Sequence, residues 1–166
     1  MPDITAIGEI LIDLTQTGTS ETGVPLFAAN PGGAPANVAV AASRLGASTA
    51  FIGKTGRDEL GTYLRSVLED NRVNCSGLRT GTQPTTMAIV SVDSVQFVRR
   101  ADCELSPDEV NEEAVCQSKF LHFGSVSLTR GIARSGTIFA ARSAHHAGAL
   151  VSYDPNYRPA LWRDEM

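Results

Sequence analysis

The stretch Asn30-Pro31-Gly32-Gly33-Ala34-Pro35-Ala36-Asn37-Val38-Ala39 is the most informative part of this sequence for its fold. Its Pro-Gly-Gly breaks the chain, and small residues then continue to Leu45, where Gly46 follows as a C-cap, so a helix is expected over 34–45. The double glycine removes two side chains at the helix entrance, which lets a ligand reach the backbone and the positive end of the helix dipole. The stretch therefore predicts a helix that begins at a binding site.

Outward from this helix, short apolar runs alternate with segments of helical periodicity. Strands are expected at 4–8, 49–52, 119–123 and 150–153, and helices at 58–71 and 132–146. A further helix is expected to start at Ser106-Pro107-Asp108-Glu109, which offers a cap residue, a proline at the first helical position and a glutamate three residues after the cap. Repeated strand–helix units of this length predict the α/β class, with parallel strands covered on both faces.

Two segments depart from this rhythm. Residues 15–30 are rich in Thr, Gly and Ser and are expected to form a loop with a short strand near 24–28. The β-branched runs at 85–92 and 95–98 are separated by Asp93-Ser94, and this spacing predicts a hairpin. We interpret the hairpin as an insertion into the α/β rhythm.

Charge and composition exclude several classes of protein. The 166 residues carry 14 Lys+Arg against 18 Asp+Glu, a net charge of -4 without a basic run, so a nucleic-acid partner is not expected. No apolar stretch approaches the roughly 20 residues of a membrane span, and Met1-Pro2-Asp3 lacks the layout of a signal peptide, so a cytoplasmic protein without membrane contact is expected. Three cysteines without a CxxC pair favour neither a disulfide framework nor a zinc site.

Polar groups stand at three ends of predicted elements. Asp13 follows the apolar run 10–12, Asn37 lies in the first turn of the helix, and Asp154-Pro155-Asn156-Tyr157-Arg158 closes the last strand. Open α/β sheets bind ligands at the carboxyl ends of their strands, so these residues are candidates for a site. Simpler interpretations stay open, with Asp13 as a solvated loop carboxylate and Asn37 as a tie to a neighbouring loop.

Two phosphate-loop templates do not fit. Gly53-Lys54-Thr55 has the tail of a Walker A motif, but Ser48 stands where that motif needs its first glycine. A GxGxxG dinucleotide fingerprint is also absent, which argues against a dehydrogenase. The adjacent His145 and His146 point to different faces of a helix, so no metal site is expected there.

Taken together, the residues resemble the PfkB (ribokinase-like) family of carbohydrate kinases. The resemblance rests on the run 32–39, on Gly46 after Leu45, on Gly53-Lys54-Thr55-Gly56-Arg57-Asp58 with Gly61, and on the opening Gly8-Glu9 with Ile12-Asp13. The hairpin and the segment 154–158 agree with it. The sequences of residues 30–37 and 154–162 are most similar to those of fructokinases, and 2-keto-3-deoxygluconate kinases are the nearest alternative.

The resemblance implies a three-layer α/β sandwich of the ribokinase-like (Rossmann-like) type, with a parallel central sheet and a small β lid from segments near 11–30 and 85–100. It implies ATP-dependent phosphorylation of a primary hydroxyl of a sugar, with Mg²⁺. The implied sugar-binding residues are Asp13, Gly32, Gly33, Asn37, Phe97 and Arg99, and the implied phosphate-proximal residues are Asn156 and Arg158. Arg158 would offset charge on the transferring group, and a homodimer through the lid is expected.

The sequence also departs from the family pattern. The lid looks shortened, and the Gly-Ala-Gly-Asp segment that holds the family's catalytic base does not occur in residues 1–166. Family members are roughly twice as long, so the chain resembles the N-terminal, substrate-binding half without the nucleotide-binding half, and the isolated chain is expected to be inactive. Three alternatives stay open: another ribokinase-like sugar kinase, a non-catalytic sugar-binding module, and a scaffold or oligomerisation unit.

Overall fold

The computed structural model describes residues 1–91 and 94–162 of the chain. The strands and helices are, in chain order, β1 (Ile4–Ile7), β2 (Leu11–Thr19), β3 (Pro25–Gly32), α1 (Ala34–Arg44), β4 (Thr49–Thr55), α2 (Glu59–Asp70), β5 (Asn74–Thr80), β6 (Met87–Val90), β7 (Val95–Val98), α3 (Glu112–Cys116), β8 (Phe120–Gly124), α4 (Ala133–His146) and β9 (Leu150–Asp154). Short 3₁₀ turns lie at Ala101–Glu104, Pro107–Glu109, Val126–Leu128 and Pro159–Leu161.

The core is a five-stranded parallel sheet in the order β5-β4-β1-β8-β9. Successive strand residues point to opposite faces, so Ala6 and Phe51 pack with α1 and α2, whereas Ile7 and Ile52 pack with α3 and α4. A fully buried side chain such as Leu64 contributes about 1.5–3 kcal/mol of hydrophobic free energy. The predicted three-layer α/β sandwich with a parallel sheet is confirmed.

Strand β1 lies at the centre of this sheet, and its carboxyl end leads through Gly8 and Glu9 into the second sheet. Strand β9 forms the edge of the sheet opposite β5, and all five of its residues are exposed. Within residues 1–91 and 94–162, no helix combines the length and the hydropathy that a membrane crossing requires.

A second, four-stranded sheet has the order β3-β2-β6-β7 and is called the small sheet below. Its two outer pairs are antiparallel, and β2 pairs with β6 in parallel. The small sheet occupies the two segments in which a lid was expected. The predicted hairpin is present as the pair β6–β7, while Val92 and Asp93, which end its first predicted strand and begin its turn, lie outside the described residues.

Two expectations about local structure were wrong, and one strand was missed. Residues 15–30 form most of two long strands instead of a loop with a short strand, because both faces of this ribbon are largely polar or exposed and leave little hydrophobic alternation. Strand β5 was missed for a similar reason, since its sequence NCSGLRT is short of β-branched residues. The capping box at Ser106 and Glu109 begins only a 3₁₀ turn, and α3 starts later, with Asn111 as its N-cap.

Candidate functional site

A cavity of about 140 Å³ lies between the carboxyl end of β1 and the small sheet, and is called the central cavity below. Its lining residues are Glu9, Leu11, Asp13, Gly33, Ala34, Asn37, Phe97, Val126, Asn156 and Arg158. Six of the eight predicted site residues therefore meet here, although they come from four separate parts of the chain. The two others, Gly32 and Arg99, lie outside the lining.

Asp13 and Phe97 reach the cavity because they share one row of the small sheet. Asp13 on β2 is paired with Ala88 on β6, and Ala88 is paired with Phe97 on β7, so the three side chains project from the same face. The small side chain of Ala88 stands between the carboxylate and the ring. Burial raises the pKa of Asp13, and the nearby Arg158 guanidinium opposes this effect.

Gly32 contributes space to the site. A Cβ atom at this position would lie 2.2 Å from Asp13 Oδ2, so any other residue would displace the carboxylate. Gly32 lies outside the lining of the central cavity, and its predicted role as a direct sugar contact stays a prediction.

Gly33 begins the helix that the sequence singled out. Its φ of +108° lies in the region that disfavours side chains, and a Cβ atom would stand 2.4 Å from the carbonyl oxygen of Glu9. Helix α1 can therefore approach the end of β1 this closely only with glycine at the N-cap. One turn further, Asn37 donates its backbone N–H to the Gly33 carbonyl at 2.9 Å.

The side chain of Asn37 is exposed and makes no hydrogen bond within the part of the chain that the structure describes. The alternative that Asn37 ties down a neighbouring loop is therefore not supported. Its amide can both donate and accept, which suits a ligand that carries several hydroxyl groups.

The segment after β9 brings a cation to the cavity. Asp154 Oδ1 accepts a hydrogen bond from the backbone N–H of Asn156 at 3.0 Å, and Asn156 has a positive φ of 33°. This turn directs the chain back across the end of the sheet, so that Asn156 and Arg158 both line the cavity. Asp154 is thereby occupied in shaping the turn.

Arg99 does not line the central cavity, and its predicted sugar contact stays a prediction. Its side chain is buried and donates from Nε to Asp102 Oδ2 at 2.6 Å, with further bonds from one terminal nitrogen to Val126 O and Thr129 Oγ1, each at 3.1 Å. A buried guanidinium needs such a partner because desolvating an unpaired charge is very costly. Arg99 thus joins the end of β7 to the segment 126–129 that walls the cavity.

Two carboxylates hold the base of the small sheet. Asp58 accepts hydrogen bonds from Thr85, and Asp102 accepts one from the hydroxyl of the adjacent Thr86. Partial burial raises the pKa of Asp58, but hydrogen bonds from Thr85 and Gly61 outweigh it and hold that pKa below its usual value. A larger open cleft of about 600 Å³ borders Asp58, but the carboxylate in it is already engaged.

The hydrogen bonds of Asp58 explain the glycine-rich run from Gly53 to Gly61. Asp58 is the N-cap of α2 and accepts from Gly61 N–H at 2.8 Å, while a Cβ atom at Gly61 would lie 2.3 Å from the carbonyl oxygen of Gly56. The run from Gly53 to Gly61 therefore fixes the start of α2 and the base of the small sheet. It contributes to the site by placing the sheet.

Glu9 is a cavity residue that sequence reasoning did not assign. It is only 2% exposed, its Oε1 accepts from Ala34 N–H at 3.2 Å, and burial raises the pKa of its carboxyl to about 7. The available signal was its position, since a carboxylate directly after Gly8 stands at the carboxyl end of the central strand. Among residues 1–91 and 94–162, no group of three or more His, Cys, Asp or Glu side chains is placed so that it could hold a metal ion.

Comparison with known proteins identifies the family and agrees with the fold. The family model described as pfkB family carbohydrate kinase matches residues 1–166. The chain is 42% identical to "Probable fructokinase-6, chloroplastic" of Arabidopsis thaliana over 97% of its length and 44% of that protein, and 43% identical to "Fructokinase-1" of Zea mays over 96% and 52%. The fold superposes on the crystal structure of Xylella fastidiosa fructokinase with bound ATP with a TM-score of 0.93 at 32% identity, covering all of this chain and 56% of that one. The chain thus spans about half the length of these relatives.

Proposed function

This chain belongs to the pfkB family of carbohydrate kinases, and we propose that the protein which carries it transfers a phosphoryl group from ATP to a primary hydroxyl of fructose. The observation that carries this proposal is the central cavity, where a carboxylate, a free amide and a bare stretch of backbone meet at the carboxyl end of the central sheet. The fructokinase names of its relatives support fructose as the sugar.

Seven of the ten lining residues have a chemical task in this proposal. Asp13 accepts hydrogen bonds from sugar hydroxyls, and these bonds are stronger than neutral ones because the acceptor is charged. Asn37 donates to one oxygen and accepts from another hydroxyl, while Gly33 allows the sugar to approach the backbone. Leu11 and Phe97 exclude water from the sugar, which strengthens the polar contacts around it.

Arg158 is proposed to offset the negative charge that develops at the transferring group, and Asn156 to lie beside the phosphates. ATP supplies the phosphoryl group when it is bound, and the ATP-bound relative supports its use. Mg²⁺ is proposed to arrive with the phosphates, since the described residues offer it no ligand set of their own. The base that accepts the hydroxyl proton is proposed to lie in the half of the relatives' length that this chain does not span.

A homodimer through the small sheet and a cytoplasmic location remain predictions. The outer side chains of Val24, Leu26 and Phe27 are exposed on or beside β3, where a second copy could cover them. Sedimentation of the protein with and without a charged substitution at Phe27 tests the dimer. One relative is named as chloroplastic, so family membership alone does not fix the compartment.

The decisive experiment is a coupled ADP-release assay of the protein that carries this chain, with Mg²⁺-ATP and fructose, 2-keto-3-deoxygluconate or ribose. Fructose-dependent turnover is expected, with a higher kcat/KM for fructose than for the other two sugars. Preference for 2-keto-3-deoxygluconate or ribose would instead assign another sugar kinase. Sugar binding without turnover would identify a non-catalytic sugar-binding module.

The isolated 166-residue chain makes a second test. It is expected to give no sugar-dependent turnover, because positioning and electrostatic stabilisation require the base and the phosphate site together. Adding the C-terminal half of a relative in trans should restore turnover. Activity of the isolated chain at roughly 1 per second or faster, an ordinary kinase rate, would contradict the proposed place of the base.

A further inference from the structure

The carboxyl group of Glu9 has two oxygens in different surroundings. Oε1 accepts a hydrogen bond from the backbone N–H of Ala34 at 3.2 Å. Oε2 is buried and has no hydrogen-bond partner among residues 1–91 and 94–162. A buried polar atom without a partner is costly, so its retention at the wall of a binding cavity calls for a functional explanation.

The first oxygen fixes the start of α1. Gly33 is the N-cap but has no side chain to accept a hydrogen bond, and the first turn contains no acidic residue. Glu9 therefore supplies from another part of the chain the acceptor that an N-cap side chain usually provides. The position of Gly33 and Asn37 at the cavity consequently depends on a carboxyl group that belongs to neither the helix nor its cap.

The charges around Glu9 come from several elements. Asp13 from β2 and Arg158 from the segment after β9 line the same cavity. Arg99 after β7 favours ionisation of Glu9, and Asp102 in the following 3₁₀ turn disfavours it. Helix α1 carries one charged residue, Arg44, at its far end. Burial outweighs these effects and raises the pKa of Glu9 to about 7.

On the basis of the proposed sugar kinase function, we propose that Glu9 is a positioning residue for the sugar. Glu9 fixes the Gly33–Asn37 turn by accepting a hydrogen bond from Ala34 N–H, and it is a neutral acid when sugar fills the cavity. A sugar in the cavity excludes solvent water from the half-buried Asp13 carboxylate, which lines the same cavity as Glu9. Removing this water disfavours two carboxylates in one small space, so binding favours uptake of a proton. Sugar affinity should therefore fall as the pH rises through neutrality.

The test is calorimetric titration of the protein that carries this chain with fructose at pH 6, 7 and 8. The dissociation constant of the unaltered protein is expected to rise by up to about tenfold from pH 6 to pH 8. Glu9→Gln keeps an acceptor for Ala34 N–H but cannot ionise, so it should bind as the unaltered protein does at pH 6 and lose most of the rise. Glu9→Ala should weaken binding about fivefold at pH 6, the value of a lost helix cap.

Glu21→Gln serves as the matched control, because Glu21 is an exposed carboxylate in the turn between β2 and β3. It should leave affinity and pH profile unchanged. Equal pH profiles for Glu9→Gln and the unaltered protein would overturn the neutral-acid proposal. Unchanged fructose affinity in a folded Glu9→Ala variant would overturn the positioning role.

Two measurements without sugar separate this inference from the proposed function. The carboxyl carbon resonance of Glu9, assigned by its loss in Glu9→Gln, should titrate near pH 7, and hydrogen exchange of the Ala34 amide should accelerate in Glu9→Ala. A midpoint near 4.5 or unaltered exchange would overturn the role of Glu9 even if fructose binds. If the unaltered protein binds no fructose, the proposed function fails, and with these two results as expected Glu9 retains its role in fixing the turn.

Discussion

Both carboxylate oxygens of Asp58 accept hydrogen bonds from Thr85, one from the backbone N–H at 2.7 Å and one from the hydroxyl at 2.6 Å. The same carboxylate caps α2 through Gly61 N–H. One side chain therefore joins a helix that packs on the five-stranded sheet to the base of the small sheet. The small sheet carries Asp13 and Phe97, and its placement therefore bears on the shape of the central cavity.

Replacing Asp58 by Ala is expected to lower the free energy of unfolding by about 2–3 kcal/mol, since it removes a helix cap and the acceptor for Thr85. Urea denaturation measures this loss. Thr85→Ser is the control, because it keeps the hydroxyl and should cost less than half as much. Equal losses for the two variants would show that the methyl group of Thr85, and not the hydrogen bonds, determines stability here.

Asp13→Ala should leave the fold intact and weaken fructose binding by about 2 kcal/mol or more, because it removes a charge-assisted acceptor from the cavity. The readouts are circular dichroism and calorimetric titration with fructose. Asn37→Ala should act in the same way to a smaller extent. Unchanged KM and kcat for Asp13→Ala would refute the assignment, and an unfolded Asn37→Ala variant would favour a structural role.

Gly33 and Gly46 form a matched pair, since both have positive φ, at 108° and 98°. A Cβ atom at Gly46 meets nothing within 4 Å, whereas one at Gly33 meets the Glu9 carbonyl at 2.4 Å. Gly46→Ala should therefore cost only the backbone strain, about 1 kcal/mol. Gly33→Ala should cost clearly more and should also weaken fructose binding. Similar thermal stabilities for the two variants would argue against close contact between α1 and the end of β1.

Arg99→Met is expected to destabilise the protein by about 3–5 kcal/mol, because it leaves the Asp102 carboxylate buried without its cation. The double variant Arg99→Met with Asp102→Leu should recover part of this loss. Denaturant unfolding of the two variants provides the comparison. A stable Arg99→Met variant with a raised KM for fructose would restore the sugar contact that its position argues against.

The raised pKa of Glu9 also predicts a pH dependence of stability. The folded protein holds this proton more tightly than the unfolded chain, so the stabilisation is present below about pH 4.5 and is lost as the pH rises through about 7. The loss amounts to about 3 kcal/mol. Glu9→Gln should lack it, so its free energy of unfolding should exceed that of the unaltered protein more at pH 8 than at pH 5. Parallel pH profiles would contradict the prediction.

Helices α1, α2 and α4 and four of the five strands of the central sheet were predictable because their signals are local. Helix α1 follows from a double glycine and a run of small residues, and strands β1, β4, β8 and β9 follow from short apolar runs. The strands of the small sheet were harder, since exposure on both faces removes the alternation that marks a half-buried strand. Asp13, Gly33 and Asn37, which line the central cavity, were candidates because each stands at the end of a predicted element.

Glu9 and Arg99 could not be placed in the same way. The function of Glu9 depends on the amide of Ala34, 25 residues further along the chain, and sequence periodicity does not report such a contact. Arg99 follows the strand that carries Phe97, which suggested that it shares the cavity, but Asp102 three residues later holds it in the interior. Long-range hydrogen bonds and buried ion pairs depend on packing, and packing is visible only in three dimensions.

Adjacent Thr85 and Thr86 are bound by different carboxylates, Asp58 from α2 and Asp102 from the turn after β7. Inserting or deleting one residue beside Thr85 and Thr86 would shift the threonines, so that Asp58 and Asp102 would each face a residue other than its present hydrogen-bond partner. Changes of length in related proteins should therefore accumulate at the far end of the hairpin and avoid its base. The segment from Met87 to Val98 should therefore be exchangeable between family members. Thr85 and Thr86 mark the N-terminal boundary of such an exchange, and Arg99 marks the C-terminal boundary.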